Sequence, residues 1–532
     1  MKNFINKING KNSIKSATVI LIVTLFLSNI LGLLRDHFLA RKIPTTILDT
    51  YYTAFRIPDL VFNILILGAI TASFIPIFTQ YIVNKKLEKG WRIVNSFINI
   101  SLLGISICLV VLYFLMPQII NFMVSDFDTE KRELTINLSR IILASPLLFT
   151  LSYIFGAVLN SFKRFFVYSL APLIYNASII VSTIFFSDKL GIYAVVYGVI
   201  IGAFFHMFIQ LVQTIKIGYK YNLIFDYKDK VVQKIFLLMI PRAIGLGSNQ
   251  IMLVFYTAIA SSLTAGSVAI YNLADNIQTM PTVVFGISFA TAIFPTLSEH
   301  INLRKLPEFS THIHKSMKAI AYVLIPLSVF IFLLRAQIIR LILGSGYFGW
   351  SDTILAYNTL GYFMISLLFQ GLIPLFARAY YAMHDTKTPT IISVISVIVG
   401  IVMAYILTPS MGVPGMALSF SIASIINASI LYIILRKKVS EIKIQEKGIL
   451  IYILKILASS LIMAIVMQVS KNITGNYLDL SRFWGVFYQI TIAFVVALVV
   501  FMTMAKIVRC KEQEYFVNLI KLYLFKHENK KR

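Results

Sequence analysis

The sequence predicts an all-α polytopic membrane protein of about 14 transmembrane helices, built as two parallel-related six-helix lobes plus a C-terminal helix pair. Three observations predict it. The first is composition: the 532 residues are 58% hydrophobic and only 13% charged, with a mean hydropathy of +0.82. Soluble domains run near 45–50% apolar and about 25% charged. The second is that the apolar residues form unbroken runs, each long enough for the roughly 20-residue helix that crosses a hydrocarbon core. A membrane β-barrel would instead show alternating segments of about 10 residues. The third is charge: 48 Lys and Arg stand against 22 Asp and Glu, a net charge of +26, and the basic residues fall mainly between the runs. A soluble enzyme, a disordered chain and a secreted disulfide scaffold are excluded.

The spans follow in order. The first, 16–39, contains the run Ala17–Leu34. It comes after Lys2, Lys7, Lys11 and Lys15 as a signal peptide would, but no small-x-small cleavage site precedes Arg35, so it stays as a span. The second, 50–82, carries Gly68 and Pro76. The third, 93–116, is an apolar run through Cys108. The fourth, 138–160, ends in FGAVLNSFKR (Phe155 to Arg164), and the fifth, 167–187, carries Pro172. The sixth, 190–215, holds His206, read as a packing histidine. The seventh, 232–260, carries Pro241, Arg242, Gly245 and Gly247. The eighth, 267–297, carries Pro281, Gly286 and Pro295. Spans nine to twelve are 317–343, 355–382, 388–409 and 412–435. The last two, 449–470 and 485–508, fall outside the two lobes. Lys455 in span 13 is read as snorkelling to the surface. The domains are therefore 1–225, 226–440, the pair at 441–510 and a basic tail at 511–532.

Loop charge orients the chain. With a cytoplasmic N-terminus, the inner segments hold about 33 of the Lys and Arg residues, and the outer loops with adjoining helix ends about 11. Both termini then lie in the cytoplasm, and the surplus of +26 records orientation with no need for nucleic acid. A weak repeat supports the two lobes. Tyr51-x-x-Ala54 with Pro76 is echoed by Tyr271-x-x-Ala274 with Pro295, and spans 4–5 are echoed by spans 10–11. Each pair is six spans apart, so the repeats share one orientation.

An Arg or Asp at a helix centre costs about 2.5–3.5 kcal/mol on insertion scales, so it should face protein or water. Span 2 places Tyr52, Arg56, Asp59 and Asn63 on one helical face, and span 8 places Asn272, Asp275, Asn276 and Thr279 on another. These stripes point to a hydrated cavity. A local Arg56–Asp59 ion pair is the alternative. Arg242 and Arg378 have no acid within a turn, and Arg35 and Asp36 end span 1 inside an apolar context. Arginines with neutral amides suit an anionic ligand, because the guanidinium fork matches phosphate oxygens. Cys108 and Cys510 are too far apart for a disulfide or metal pair, and Asp126-Phe127-Asp128 reads as a solvated loop. No phosphate-binding loop is present. No cofactor is expected, and drive must come from an ion gradient or the membrane potential.

The chain resembles the MurJ (MviN) lipid II flippase family of the multidrug/oligosaccharidyl-lipid/polysaccharide exporter superfamily. The resemblance rests on GLLRDHFLAR (Gly32 to Arg41), DTYYTAFRIPDL (Asp49 to Leu60) and GAITASFIPIFTQY (Gly68 to Tyr81). Further matches are LNSFKRF from Leu159, Ala171-Pro172, Ala274-Asp275 with Pro281, and ARAYYAMHDTKTP from Ala377. It implies a transporter, not an enzyme. Such a transporter moves the undecaprenyl-diphosphate-linked peptidoglycan precursor to the outer leaflet of the bacterial inner membrane by alternating access. The final helix pair would form a lipid-tail groove. The expected partners are the lipid-linked diphosphate glycan, membrane lipids and other cell-wall synthesis proteins. By the same resemblance Arg35 and Asp36 match a cavity arginine and its acid, and Asp49 matches an acid at the start of span 2. Asp59 stands where Asn is usual, Phe62-Asn63 replaces a basic pair, and Asn276 replaces an Arg. Substrate contact is thus expected at Arg35, Asp36, Asp49, Arg56, Asp59, Asn63, Arg242, Asp275, Asn276 and Arg378. The alternatives are an exporter of another lipid-linked oligosaccharide and a drug/cation antiporter.

Overall fold

In a computed structural model, the described residues are 14–64, 74–440, 442, 446–510 and 513; the side chains of 14–22, 239–246 and 446–447 lie outside the described set. Among them no strand occurs, and the helices run in chain order. They are α1 (Ile14–Lys42), α2 (Thr45–Ala54), α3 (Arg56–Phe62), α4 (Ile75–Val83), α5 (Leu87–Met123), α6 (Thr129–Ile142), α7 (Ser145–Ser161), α8 (Phe165–Leu190), α9 (Ile192–Lys216) and α10 (Lys230–Ser261). Then come α11 (Ser267–Pro281), a π-helical segment (Thr282–Ile287), α12 (Ser288–Asn302), α13 (Leu306–Leu333), α14 (Arg335–Ile342), α15 (Trp350–Met364), α16 (Leu367–Ala382), α17 (Lys387–Met411), α18 (Val413–Lys438), α19 (Glu446–Tyr477) and α20 (Phe483–Ile507). Among the described residues eleven helices are long and apolar enough to cross a membrane. The pair α15–α16, bent by 48°, makes twelve if it is one span. Of the other two expected spans, 50–82 runs through 65–73 outside the described set, and in 232–260 the side chains of 239–246 lie outside it.

Local chemistry sets the helix ends. Asp128 caps α6 by accepting the Lys131 N–H at 2.8 Å, which gives the acidic loop ahead of it a structural use. Asp229 caps α10 in the same way. Pro76, Pro146, Pro307 and Pro414 sit in first turns, where their missing N–H costs nothing. The C-termini are less ordinary. Among the described residues every non-glycine at positive φ is basic: Lys85, Lys163, Arg304, His384 and Arg509. Each follows a helix and is closed by the same six-residue bond, for example Lys86 N to Tyr81 O at 2.9 Å and Lys305 N to His300 O at 2.8 Å. This is the Schellman turn, in which glycine usually takes the left-handed position. Asp385, just past His384, is opposed by partial burial, yet hydrogen bonds from Lys438 and Thr388 hold its carboxyl down at about 2.

The chain divides into two compact units. The first comprises Met1–Asn276 with Leu343–Asp352 and Ala404–Thr408. Its tightest pairing is α8 against α9, where Gly202 lets the backbones meet; a Cβ there would fall 2.9 Å from the Tyr175 carbonyl. The extended link between α9 and α10 is strapped along α5. Asn95 donates to Lys220 O, Asn99 donates to Asn222 O and Ile224 O, and Ser96 accepts the Asp226 N–H. The second unit comprises Ile277–Ile342, Thr353–Met403 and Pro409–Arg532. It packs α13, α19 and α20 around Tyr322, Ile456, Met463, Ala497 and Phe501. Within it Gly286 of the π segment faces Gly371 of α16, and a Cβ on Gly286 would come 2.7 Å from the Gly371 Cα.

Spans 2 and 8 both depart from α geometry. The path through span 2 is π-helical at Asn63 and Ile64 and again at Phe74, and span 8 is π-helical over Thr282–Ile287. Such bulges arise where a residue too many must be housed in a helix, and they favour functional positions.

Candidate functional site

The first unit contains a cavity of about 390 Å³, with room for about a dozen waters. Both polar stripes face it. Tyr52, Arg56, Asp59 and Asn63 line it although the helix breaks at Phe55 between α2 and α3. Asn272, Asp275 and Asn276 line it from α11, and Arg35 from α1. The remaining wall is aromatic: Tyr51, Phe55, Phe62, Phe149, Tyr153 and Tyr175.

Arg35 binds Asp36 through Nε at 3.0 Å and Nη2 at 2.8 Å, and donates from Nη1 to Asn176 of α8 at 3.3 Å. The second Asp36 oxygen accepts from Asn276 Nδ2 at 2.8 Å. One buried carboxylate thus fixes a guanidinium and an amide of the cavity wall, joining α1, α8 and α11. Arg56 is buried and does not turn back on Asp59. Its Nε donates to Thr257 of α10 at 2.7 Å and its Nη2 to Asn272 at 2.6 Å. The local Arg56–Asp59 ion pair is therefore replaced by bonds to two other helices, because a guanidinium reaches well beyond its own turn. Asn63 Nδ2 returns to the Asp59 backbone carbonyl at 2.8 Å, which leaves its carbonyl oxygen to other partners. The Tyr52 hydroxyl is buried with no hydrogen-bond partner among the described residues. A ligand oxygen would satisfy it.

Three expected site residues lie elsewhere or beyond description. Asp49 is buried at the start of α11 rather than in the cavity wall. It accepts the Gly266 N–H at 2.7 Å, the Ala269 N–H at 2.8 Å and Lys131 Nζ at 2.7 Å. It acts as an anion at a helix N-terminus. Arg378 belongs to the second unit, where its Nη1 donates to Ile287 O at 3.1 Å, at the end of the π segment. Arg242 lies on α10, and its side chain is outside the described residues.

Sequence reasoning missed Tyr153, Tyr175, Asn176 and Thr257. Aromatic residues on an apolar helix carry no signal that separates a cavity wall from packing. Asn176, one turn after Pro172, was visible as a polar residue inside span 5. His206 is buried behind the wall. Its Nδ1 lies 2.7 Å from Ser152 Oγ and its ring stacks on Tyr153, as a satisfied packing histidine would. Among the described residues no group of three His, Cys, Asp or Glu is placed to hold a metal ion.

Known proteins resemble this chain over most of its length. A family model described as lipid II flippase MurJ matches residues 44–488. A probable lipid II flippase MurJ of Borreliella burgdorferi is 30% identical over 441 residues, covering 82% of this chain and 86% of its own. A lipid II flippase MurJ of Burkholderia cenocepacia is 25% identical over 422 residues, covering 77% and 82%. Among solved structures, a lipid II flippase MurJ in an inward closed conformation aligns with a TM-score of 0.76 and 27% identity, over 92% of this chain and 99% of that one. An inward-facing multidrug resistance MATE family transporter of the MOP superfamily aligns with a TM-score of 0.65 at 16% identity, over 80% of this chain and 99% of that one, which is a likeness of fold.

Proposed function

The chain belongs to the lipid II flippase MurJ family, and from that premise we propose that it carries lipid II from the cytoplasmic to the outer leaflet by alternating access, for cell-wall synthesis. It is a multi-pass membrane transporter and not an enzyme. The observation that carries the reading is a polar cavity inside an apolar helical unit, with Arg35 and Arg56 on its wall. Guanidiniums there suit the diphosphate, together with Arg242 and Arg378 in the cycle. The amides of Asn63 and Asn276 suit sugar or peptide groups, and Tyr153 and Tyr175 offer faces for a sugar ring. Asp36 acts by holding Arg35, and Asp49 by holding the start of α11. The cavity volume matches a diphosphate with about one sugar, so the whole head group requires a wider state of the cycle.

The isoprenoid tail has a counterpart in the second unit. A separate cavity of about 340 Å³ is walled by Tyr322, Pro326, Phe330, Met463, Phe494 and Phe501, from spans 9, 13 and 14. Its lining is almost wholly apolar, which suits a prenyl chain. In this reading 1–225 and 226–440 are the moving lobes and 441–510 carries the tail. The chain sits in the bacterial inner membrane with both termini cytoplasmic, beside other cell-wall synthesis proteins, and is driven by the membrane potential or an ion gradient. Moving one charge through 100 mV is worth about 2.3 kcal/mol.

The test is conditional depletion followed by an assay of lipid II accessible at the outer surface. Wild-type chain restores exposure, and Arg35→Ala or Arg56→Ala, inserted normally, lowers it at least about tenfold, the loss expected for one charge-assisted contact. Unchanged exposure on depletion, with no redundant flippase present, overturns the assignment.

A further inference from the structure

Among the described residues the cavity wall is not net positive. Among the described residues its wall carries two guanidiniums, Arg35 and Arg56, and two carboxylates, Asp59 and Asp275. A third carboxylate, Asp36, is bonded to Arg35 itself. Arg56 gives its hydrogen bonds to the neutral groups of Thr257 and Asn272. A diphosphate would therefore enter a small space that already holds acids.

Asp59 is the acid most exposed to that conflict. It lies on the cavity wall one turn after Arg56, and no ion pair among the described residues joins it to a base. The charged and titratable groups facing it come from every neighbouring element. They are Arg35 and Asp36 from α1, Tyr51 and Tyr52 from α2, Arg56 from its own helix, Tyr153 from α7, Tyr175 from α8 and Asp275 from α11. From α10 the described groups are Leu253 and Thr257, the side chains of 239–246 lying outside the described set. Tyrosines are neutral near pH 7. A carboxylate next to an incoming dianion is driven toward its neutral form by like charge and by exclusion of water. A metal ion would neutralise it equally well, but hard cations demand six or more oxygen ligands. Among the described residues no group of three His, Cys, Asp or Glu is placed to hold such an ion.

We propose that Asp59 takes up a proton as the diphosphate head group binds and returns it as the head group leaves. This rests on the flippase reading and adds the ionic partner of the same site. The chemistry is one proton moving from solvent to a carboxylate oxygen, with no other bond changed. Affinity for a diphosphate is then greatest at low pH and falls by up to about tenfold per pH unit as Asp59 ionises.

The experiment uses the full chain in lipid nanodiscs, with geranylgeranyl diphosphate as the probe. Titration calorimetry in two buffers of different ionisation enthalpy counts the protons taken up, and a series from pH 5.5 to pH 8.5 gives the affinity profile. The probe's own titration is common to all proteins and cancels between variants. Wild type takes up about one proton more than Asp59→Asn, which binds with a flatter profile and at pH 8 about tenfold more tightly. Asp59→Glu keeps the wild-type uptake. Equal uptake and parallel profiles in wild type and Asp59→Asn overturn the inference and leave the flippase reading standing. Absence of binding by both, in folded protein, overturns that reading and this inference with it.

Discussion

Asp49 and Arg56 both fall in the stretch that resembles the MurJ pattern, and the structure gives them different work. Asp49 is 1% exposed and spends both oxygens on the start of α11 and on Lys131. Removing one partner of such a pair leaves a buried charge uncompensated. Lys131→Met should therefore lower stability by about 3 kcal/mol, read as a drop in the thermal midpoint of the purified chain. The charged and amide residues of the site were legible one by one, because Arg35, Arg56, Asp59 and Asp275 interrupt apolar runs and share helical faces. Their partners were not. Asn176 meets Arg35 only because α1 packs on α8, and Thr257 meets Arg56 only because α10 passes the break at Phe55. Those bonds depend on tertiary pairing, which periodicity does not encode.

At the scale of elements, prolines and glycines interrupt spans 2 and 8 in the sequence, which does not say what the backbone does there. In span 8 a π-helical segment, Thr282–Ile287, follows Pro281 directly. In the second unit it brings Gly286 onto Gly371, with backbone against backbone. Gly286→Val places two methyl groups where there is no space for one. Overpacking of this kind costs about 1–3 kcal/mol. The expected outcome is normal membrane insertion with surface-accessible lipid II cut several-fold in the depletion assay, because the π segment can no longer close on α16. A wild-type level would mean that the glycine contact is incidental.

Over the whole molecule, composition and the apolar runs were enough to read an all-helical multi-pass protein. The proposed tail cavity was expected from the family resemblance and not from the residues themselves. It is made by apolar side chains of spans 9, 13 and 14, which in sequence resemble any lipid-facing surface. Ala497 is the smallest side chain in its described lining. Ala497→Trp should fill it and lower outer-leaflet lipid II several-fold, while inorganic pyrophosphate still binds the head-group cavity of the first unit with unchanged affinity. Loss of pyrophosphate binding as well would mean that the substitution disturbs more than the tail cavity.

The five basic residues at left-handed helix ends carry a consequence of another kind. Glycine would hold each of those turns with less backbone cost. At the four Lys and Arg positions it would also delete a positive charge from a segment that, in the proposed orientation, faces the cytoplasm. Lys85, Lys163, Arg304 and Arg509 each write two instructions in one letter, where the helix stops and which side it stops on. Exchange between Lys and Arg keeps both messages, whereas glycine keeps the first and erases the second. Neutral drift at these positions therefore has a narrow alphabet, set jointly by the turn and by the machinery that threads the chain into the bilayer.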